Sequence, residues 1–218
     1  MNVVVTTGPA MARIDEVRHI TNVSSGELGF LIANAFARAG DCVTCFYGMA
    51  SRCGVPLDER VDGRVFSGNE DLAEAMRKRG REGAVDAVFH VAALGDFEVG
   101  EIRGEDGRRL MDAKIESRSG AVTIVLKPAR KVLPELRAWF PKSRIVGWKY
   151  ELNGGREDAL AAAIQQLAEV GSDACVVNGR AYGDGFGLLS PDGAIVEFAD
   201  KPLLVDGLGK WLRKQLRD

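Results

Sequence analysis

From Val3 to Ala92 the chain alternates short apolar, β-branched runs with segments of helical periodicity. Val3–Thr6 ends in Gly8-Pro9 and reads as a buried first strand. From Gly26 to Ala39 the apolar residues Leu28, Leu31, Ile32, Ala35 and Phe36 recur at helical spacing, and Gly40 supplies the stop. Asp41–Tyr47 is a second strand closed by Gly48, Asn69–Arg79 a helix with Leu72, Ala73 and Met76 inward, and Asp86–Ala92 a third strand. Strand, helix, strand, helix, strand is the order of a parallel sheet with right-handed crossovers. The expected fold is therefore α/β, a Rossmann-like, mostly parallel sheet flanked by helices.

The later chain adds to that plan. Glu98–Asp112 is polar, rich in Gly and Arg, and reads as a mobile excursion. Lys114–Ser117 and Val122–Leu126 flank Arg118-Ser119-Gly120 and predict a hairpin. Val132–Phe140 resumes helical spacing, Arg144–Tyr150 is a strand, Glu157–Val170 a helix and Asp173–Val177 a strand. Phe186–Phe198 predicts a second hairpin around Pro191-Asp192-Gly193, and Leu203–Leu216 a closing helix. The two β-hairpins are expected as flap or dimerisation elements on one domain spanning residues 1–218, with the flap at about 98–127.

Charge and cysteine content narrow the function. A formal charge of -2 argues against general nucleic-acid binding, so any phosphate must be met by local donors. Cys42 and Cys45 have a redox-pair spacing, but on a strand they point to opposite faces, so packing thiols are expected. No signal-like start and no run long enough to span a membrane is present, and the expected compartment is a reducing cytoplasm. Two histidines without Cys/His spacing argue against a structural zinc site, and no metal ligand is assigned. His90, in an apolar strand, is expected as a satisfied core histidine, and Trp148 and Trp211 as packing residues.

The first β-to-α connection carries the chemistry. Such connections usually take about two to six residues, whereas here the chain uses Gly8 to Ser25. The loop holds Asp15, Arg18, His19, Asn22, Ser24 and Ser25, with Gly26 at the helix start. Ser24 and Ser25 are suited to cap the helix, and Gly26 lets a ligand approach the backbone. A helix N-terminus after the first strand is where a phosphate is usually held, and Arg18 would add a bidentate clamp. The plainer alternative is a capped helix with a long surface loop. There is no Gly-x-Gly-x-x-Gly after the strand and no Walker motif; Gly26 and Gly29 are a partial echo, which disfavours a standard dinucleotide dehydrogenase.

The segment Asp15-Glu16-Val17-Arg18-His19-Ile20-Thr21-Asn22-Val23-Ser24-Ser25-Gly26-Glu27-Leu28-Gly29 resembles the phosphopantothenate–cysteine ligase family, whose pattern is Asp-x-Val-Arg-x-Ile-(Ser/Thr)-Asn-x-Ser-Ser-Gly-x-x-Gly. Ala92-Ala93-Leu94-Gly95-Asp96-Phe97, Lys114-Ile115, Val146-Gly147-Trp148-Lys149, Asp173 to Asn178 and Phe186-Gly187 are similar to further family landmarks in the same order. The match covers essentially the whole chain and is to the stand-alone form. It implies a ligase of coenzyme A biosynthesis that joins 4'-phosphopantothenate to cysteine through an acyl-nucleotide, using CTP or ATP with Mg²⁺, as a homodimer.

The resemblance also implies site roles: Arg18, Asn22 and Lys114 as catalytic residues, and Gly8, Ser24, Ser25, Gly26, Ala92, Ala93, Asp96, Lys127 and Lys149 on the nucleotide side. The chain departs from the family at Glu116 and Ser117, where further lysines stand, and at Gln166 and Val170, where two lysines precede the Asp173 strand. Lys127, Arg130, Lys131 and Lys149 are candidates to replace the missing charge. Two other functions fit the residues: a ligase of the same fold acting on another acid or amine, and a non-catalytic nucleotide-binding module.

Overall fold

The computed structural model describes residues 1–111, 113–116, 118 and 120–217. The strands are β1 (Asn2–Thr7), β2 (Met11–Arg13), β3 (His19–Thr21), β4 (Cys42–Gly48), β5 (Asp62–Phe66), β6 (Ala87–His90), β7 (Phe97–Gly104), β8 (Val122–Pro128), β9 (Arg144–Tyr150), β10 (Ala174–Asn178), β11 (Phe186–Leu189) and β12 (Ile195–Phe198). The helices are α1 (Glu27–Arg38), α2 (Asn69–Arg81), α3 (Leu136–Trp139), α4 (Arg156–Val170) and α5 (Lys201–Gln215). Eight strands form one sheet in the order β12-β11-β10-β9-β6-β1-β4-β5. It is parallel from β5 to β10, and the hairpin β11–β12 adds two antiparallel strands at one edge.

Burial on both faces explains why β1 is a continuous apolar run rather than an alternating one. Val3 and Val5 pack with Ile32, Phe36, Leu204, Leu208 and Leu212 under α1 and α5. Val4 faces the other way, with Leu72, Met76, Leu136 and Ile145 under α2 and α3. Each such side chain, fully buried, contributes roughly 1.5–3 kcal/mol, so the two layers fix α1 and α2 firmly against the strand that precedes the long loop. Cys45 and Cys175 are buried and their thiols are pushed up to about 12 by that burial, whereas Cys42 is exposed. Among the described residues no helix is long and apolar enough to cross a membrane.

Strand order places the site. β1 pairs with β4 on one side and with β6 on the other, so the chain reverses direction across the sheet at the β1/β6 boundary. Ligands of open α/β sheets bind outside the carboxyl ends of the strands at such a point. The connections leaving those two ends are Gly8–Gly26 and Val91–Asp96.

Three stretches fold differently from the sequence expectation. Half of the excursion expected at 98–112 is strand β7, which pairs with β8; residues 114–116 are not a strand, and Asp112, Ser117 and Ser119 lie outside the described residues. Gly100 and a bulge between Val99 and Glu101 break the alternation that would have marked β7. β5 gave no periodic signal because Asp62, Gly63 and Arg64 dominate an edge strand open to solvent. The long loop is itself folded as a β2–β3 hairpin.

Candidate active site

The first turn of α1 is set by close backbone contacts. Gly26 is its N-cap in a left-handed conformation (φ 82°), and no side chain caps it. This corrects the expectation for Ser24 and Ser25: only a residue without Cβ sits easily at that φ, so the serines fall one and two positions too early. Ser25 Oγ lies 3.3 Å from the Glu27 amide, and half-buried Ser24 donates its amide to the Asn22 carbonyl. Thr7 Oγ1 donates to the Gly26 carbonyl at 2.8 Å, tying the end of β1 to the start of α1. The amides of Leu28 and Gly29 have no protein partner among the described residues, leaving donors at the helix end.

Gly8 (φ 76°) lies against the same turn. A Cβ on Gly8 would stand 2.0 Å from Ser51 Oγ, and one on Gly26 would stand 3.0 Å from it. Ser51 follows β4, and the next residue, Arg52, donates its amide to the Ser25 carbonyl at 3.0 Å. Asn34 on α1 holds this post-β4 loop through the Pro56 carbonyl and the Asp58 amide. Arg52 is exposed and has no acid partner among the described residues. Sequence reading missed it because the contact with Ser25 spans strands that only the parallel pairing of β1 and β4 brings together.

The hairpin leans over the β1/β6 boundary. The Ala10 amide donates to the Ala93 carbonyl and Ala93 donates to Gly8, extending the two strands by one bridge. Ala92 donates to Thr6 Oγ1, so the Ala92 and Ala93 amides are already engaged. Asn22 Nδ2 donates to the carbonyls of Ala93 (3.2 Å) and Leu94 (2.9 Å). From the opposite side Asn69, the first residue of α2, brackets Gly95: Nδ2 donates to its carbonyl at 2.8 Å and Oδ1 accepts from its amide at 3.2 Å. Asn69 also donates to the Arg130 carbonyl at 2.9 Å. A cleft of about 410 Å³ opens here, lined by Arg13, Ile20, Asn22, Asn69, Asp96 and Phe97.

Arg18, at the tip of the hairpin, meets the backbone beside Lys114. Asp15 accepts from the Val17, Arg18 and Ile115 amides and from the Arg18 guanidinium through Nε and Nη2. The Arg18 guanidinium, then these amides, hold the Asp15 carboxyl well below the usual carboxylate range. Arg18 Nη2 also donates to the Ile115 carbonyl at 2.6 Å, next to the exposed Lys114.

The four replacement cations are each held by an acid. Lys127 pairs with Glu98 at 3.0 Å, Arg130 with Glu70 and Glu135, Lys131 with Asp96, and Lys149 with Glu151 at 3.1 Å. Positions 166 and 170 have another explanation. Gln166 turns inward toward the Trp148 carbonyl, and Val170 is buried at the end of α4 beside the amino end of β9.

His90 is buried against Thr6 Oγ1 at 2.8 Å, and burial lowers its pKa to about 4. Trp148 and Trp211 pack at the rim of the α1/α5 core.

A sheet with these parts defines an α/β protein whose switch-point loop carries open backbone amides and a partly exposed guanidinium. Residues 1–201 match the family model described as the DNA/pantothenate metabolism flavoprotein C-terminal domain, and the chain belongs to that family, as the resemblance of the Asp15–Gly29 segment implied. It is 30% identical over 178 residues to the coenzyme A biosynthesis bifunctional protein CoaBC of Thermococcus kodakarensis, covering 81% of this chain and 40% of that protein. It is 30% identical over 190 residues to CoaBC of Bacillus subtilis, covering 85% of this chain and 42% of that protein. The chain thus spans about 40% of the length of these relatives.

In fold it is similar to the DNA/pantothenate metabolism flavoprotein of Streptococcus pneumoniae, with a TM-score of 0.85, 20% identity and 99% of each chain covered. A structure of Cab2 mutant H337A in complex with phosphopantothenate-cysteine has a TM-score of 0.73 at 15% identity, covering 99% of this chain and 87% of that one.

Proposed function

We propose that the protein is a phosphopantothenate–cysteine ligase. The carboxylate of 4'-phosphopantothenate attacks the α-phosphate of CTP or ATP, expelling pyrophosphate and forming an acyl-nucleotide. The amine of cysteine then attacks the acyl carbon, the nucleoside monophosphate leaves, a proton is lost, and the amide forms. The supporting observation is the gathering of Arg18, Asn22 and the open α1 N-terminus along one carboxyl edge of the sheet.

The residues divide the work by chemistry. Gly8, Ser24, Ser25 and Gly26 surround the start of α1, whose open Leu28 and Gly29 amides suit phosphate oxygens, with Arg52 beside them as a further donor. Mg²⁺ enters with the triphosphate as part of the substrate; among the described residues no three acidic, Cys or His side chains are grouped to hold it. Asn22, Ala92, Ala93 and Asp96 border the space where acid and nucleotide meet; Lys114 supplies positive charge for the developing negative charge, and Arg18, paired with Asp15, adds its remaining N–H donors. Lys127 and Lys149 act here only after release from Glu98 and Glu151.

A homodimer belongs to the same proposal. An isolated two-stranded ribbon is marginal in water, yet β7–β8 exposes Phe97, Val125 and Leu126, a surface suited to a second copy. The test is incubation with 4'-phosphopantothenate, cysteine, Mg²⁺ and each nucleotide, following the amide, pyrophosphate and nucleoside monophosphate. Absence of all three products with every nucleotide refutes it. The pairing of all four replacement cations favours a second reading, a ligase of the same chemistry acting on another acid, which a panel of carboxylic acids would reveal. Pyrophosphate release under any of these conditions eliminates a purely binding role.

A further inference from the structure

We propose that Asp15 is a positioning residue that locks the loop arginine and the flap lysine into one unit; the inference rests on the ligase reading. Its carboxylate is 1% exposed, while the Arg18 side chain it holds is 45% exposed. Five donors from three residues converge on its two oxygens: Oδ1 accepts from Val17 and Arg18 amides at 3.0 and 2.7 Å, and Oδ2 accepts from Arg18 Nε at 2.9 Å, from Arg18 Nη2 and from the Ile115 amide at 3.2 Å.

Two more bonds join the same pieces. Glu16 donates its amide to the Ala113 carbonyl at 3.0 Å, and Arg18 Nη2 donates to the Ile115 carbonyl at 2.6 Å. Lys114 is therefore held on both sides through its neighbours' backbones, while its own side chain stays exposed and unpaired among the described residues. Arg18 is held likewise: Nε and Nη2 are used, and Nη1 has no partner among the described residues.

The physical consequence is preorganisation. A free arginine loses rotamer entropy when it clamps an anion, and a flap lysine loses backbone entropy as well. Here one buried carboxylate orders both before substrate arrives. The positions are a hundred residues apart in sequence, so no local rule links them. A carboxylate beside an anion site would repel the ligand if exposed; buried and neutralised by Arg18, it acts only through the groups it orients.

The experiment uses the whole protein and two independent measurements. Trypsin cuts after Arg18 and Lys114, and Asp15→Asn keeps the shape while removing the charge. Cleavage at both bonds is expected to rise about tenfold together in Asp15→Asn, with cleavage after Arg60 unchanged. In wild-type protein the Ile115 amide is expected to exchange at least tenfold more slowly than an unstructured amide, a measurement that needs no folded variant.

For activity, Asp15→Asn is expected to raise KM for the acid while leaving KM for the nucleotide unchanged. Lys114→Ala is expected to have a much smaller effect on pyrophosphate formation in the Asp15→Asn background than in wild type. Asp15→Glu, which restores the charge, should recover part of the loss. Unprotected Ile115, unchanged cleavage, or fully additive effects of Asp15→Asn and Lys114→Ala would each overturn the proposal. If wild-type protein makes no product, the ligase reading fails, while cleavage and exchange still decide whether Asp15 joins the two segments.

Discussion

Gly29→Ala should separate the packing of α1 from its intrinsic helical preference. A Cβ at position 29 would stand 2.1 Å from Thr7 Cβ, 2.3 Å from Thr7 Oγ1 and 2.9 Å from Thr7 Cγ2. Carbon atoms in contact prefer about 3.5–4.0 Å, so α1 must withdraw from β1 by more than about 1 Å. Overpacking of this kind costs about 1–3 kcal/mol. Withdrawal also strains the Thr7–Gly26 hydrogen bond, a further loss of about 0.5–1.5 kcal/mol. Against this, replacing a helical glycine by alanine gains up to about 1 kcal/mol. The net expectation is destabilisation by about 0.5–4.5 kcal/mol.

Gly209→Ala in α5 is the matched control. Its Cβ would meet only the end of the Arg213 side chain, at 3.2 Å, so stabilisation of up to about 1 kcal/mol is expected there. Urea unfolding followed by circular dichroism would read the opposite signs as opposite shifts of midpoint. Isothermal titration with CTP and ATP would read the second consequence: with the amides of the first turn displaced, nucleotide affinity should fall about tenfold. A Gly29→Ala protein as stable as wild type would refute the close approach. A destabilised protein with unchanged nucleotide affinity would refute α1 as the phosphate seat.

Arg52→Ala should raise KM for the nucleotide about tenfold or more and leave KM for the acid unchanged, since a hydrogen bond to a charged group is worth about 1.5–3 kcal/mol; steady-state kinetics with each substrate varied would check it. His90 should stay neutral until about pH 4. The unfolded chain takes up that proton near pH 6.5, so its contribution to stability is complete above that value and declines by about 3 kcal/mol as pH falls toward 4; ring-nitrogen NMR showing protonation near pH 6 would refute it. Burial raises the Asp173 carboxyl, but the Ile145 amide, Arg144 and Arg137 outweigh it and leave it lowered. Asp173→Ala should destabilise by about 2–4 kcal/mol at neutral pH, and the wild-type advantage should shrink as pH falls below about 4, measured by thermal unfolding. Leu126→Glu should shift the protein from dimer to monomer in sedimentation velocity.

The core elements were legible because their signals are local. Val3–Thr6, the helical spacing of Leu28 to Phe36, and the turn Pro191-Asp192-Gly193 each carry their own periodicity or turn chemistry, and each formed within a residue or two of its expected bounds. The segment Asp15–Gly29 was legible as a motif, and that motif indicated the family. Its internal shape was not. A three-residue hairpin strand has too few positions to show alternation, and the cap at Gly26 depends on a backbone angle forced by Thr7 and Ser51 rather than on the serines before it. Strand β7 was hidden by a bulge, and β5 by its exposure at the sheet edge.

Sequence by itself therefore determined the parallel α/β plan, the buried strands and the existence of a long, motif-bearing loop after the first strand, because hydrophobic period and backbone preference act over a few neighbouring residues. Tertiary structure alone decided which charges are available. Lys127, Arg130 and Lys131 are equal in sequence to any other cation, but packing gives them the distant acids Glu98, Glu70 and Asp96, while Arg52 is left open and Arg18 is joined through Asp15 to the flap. Coulombic and hydrogen-bond partners are set by distance in space, and that distance exists only once the sheet has closed.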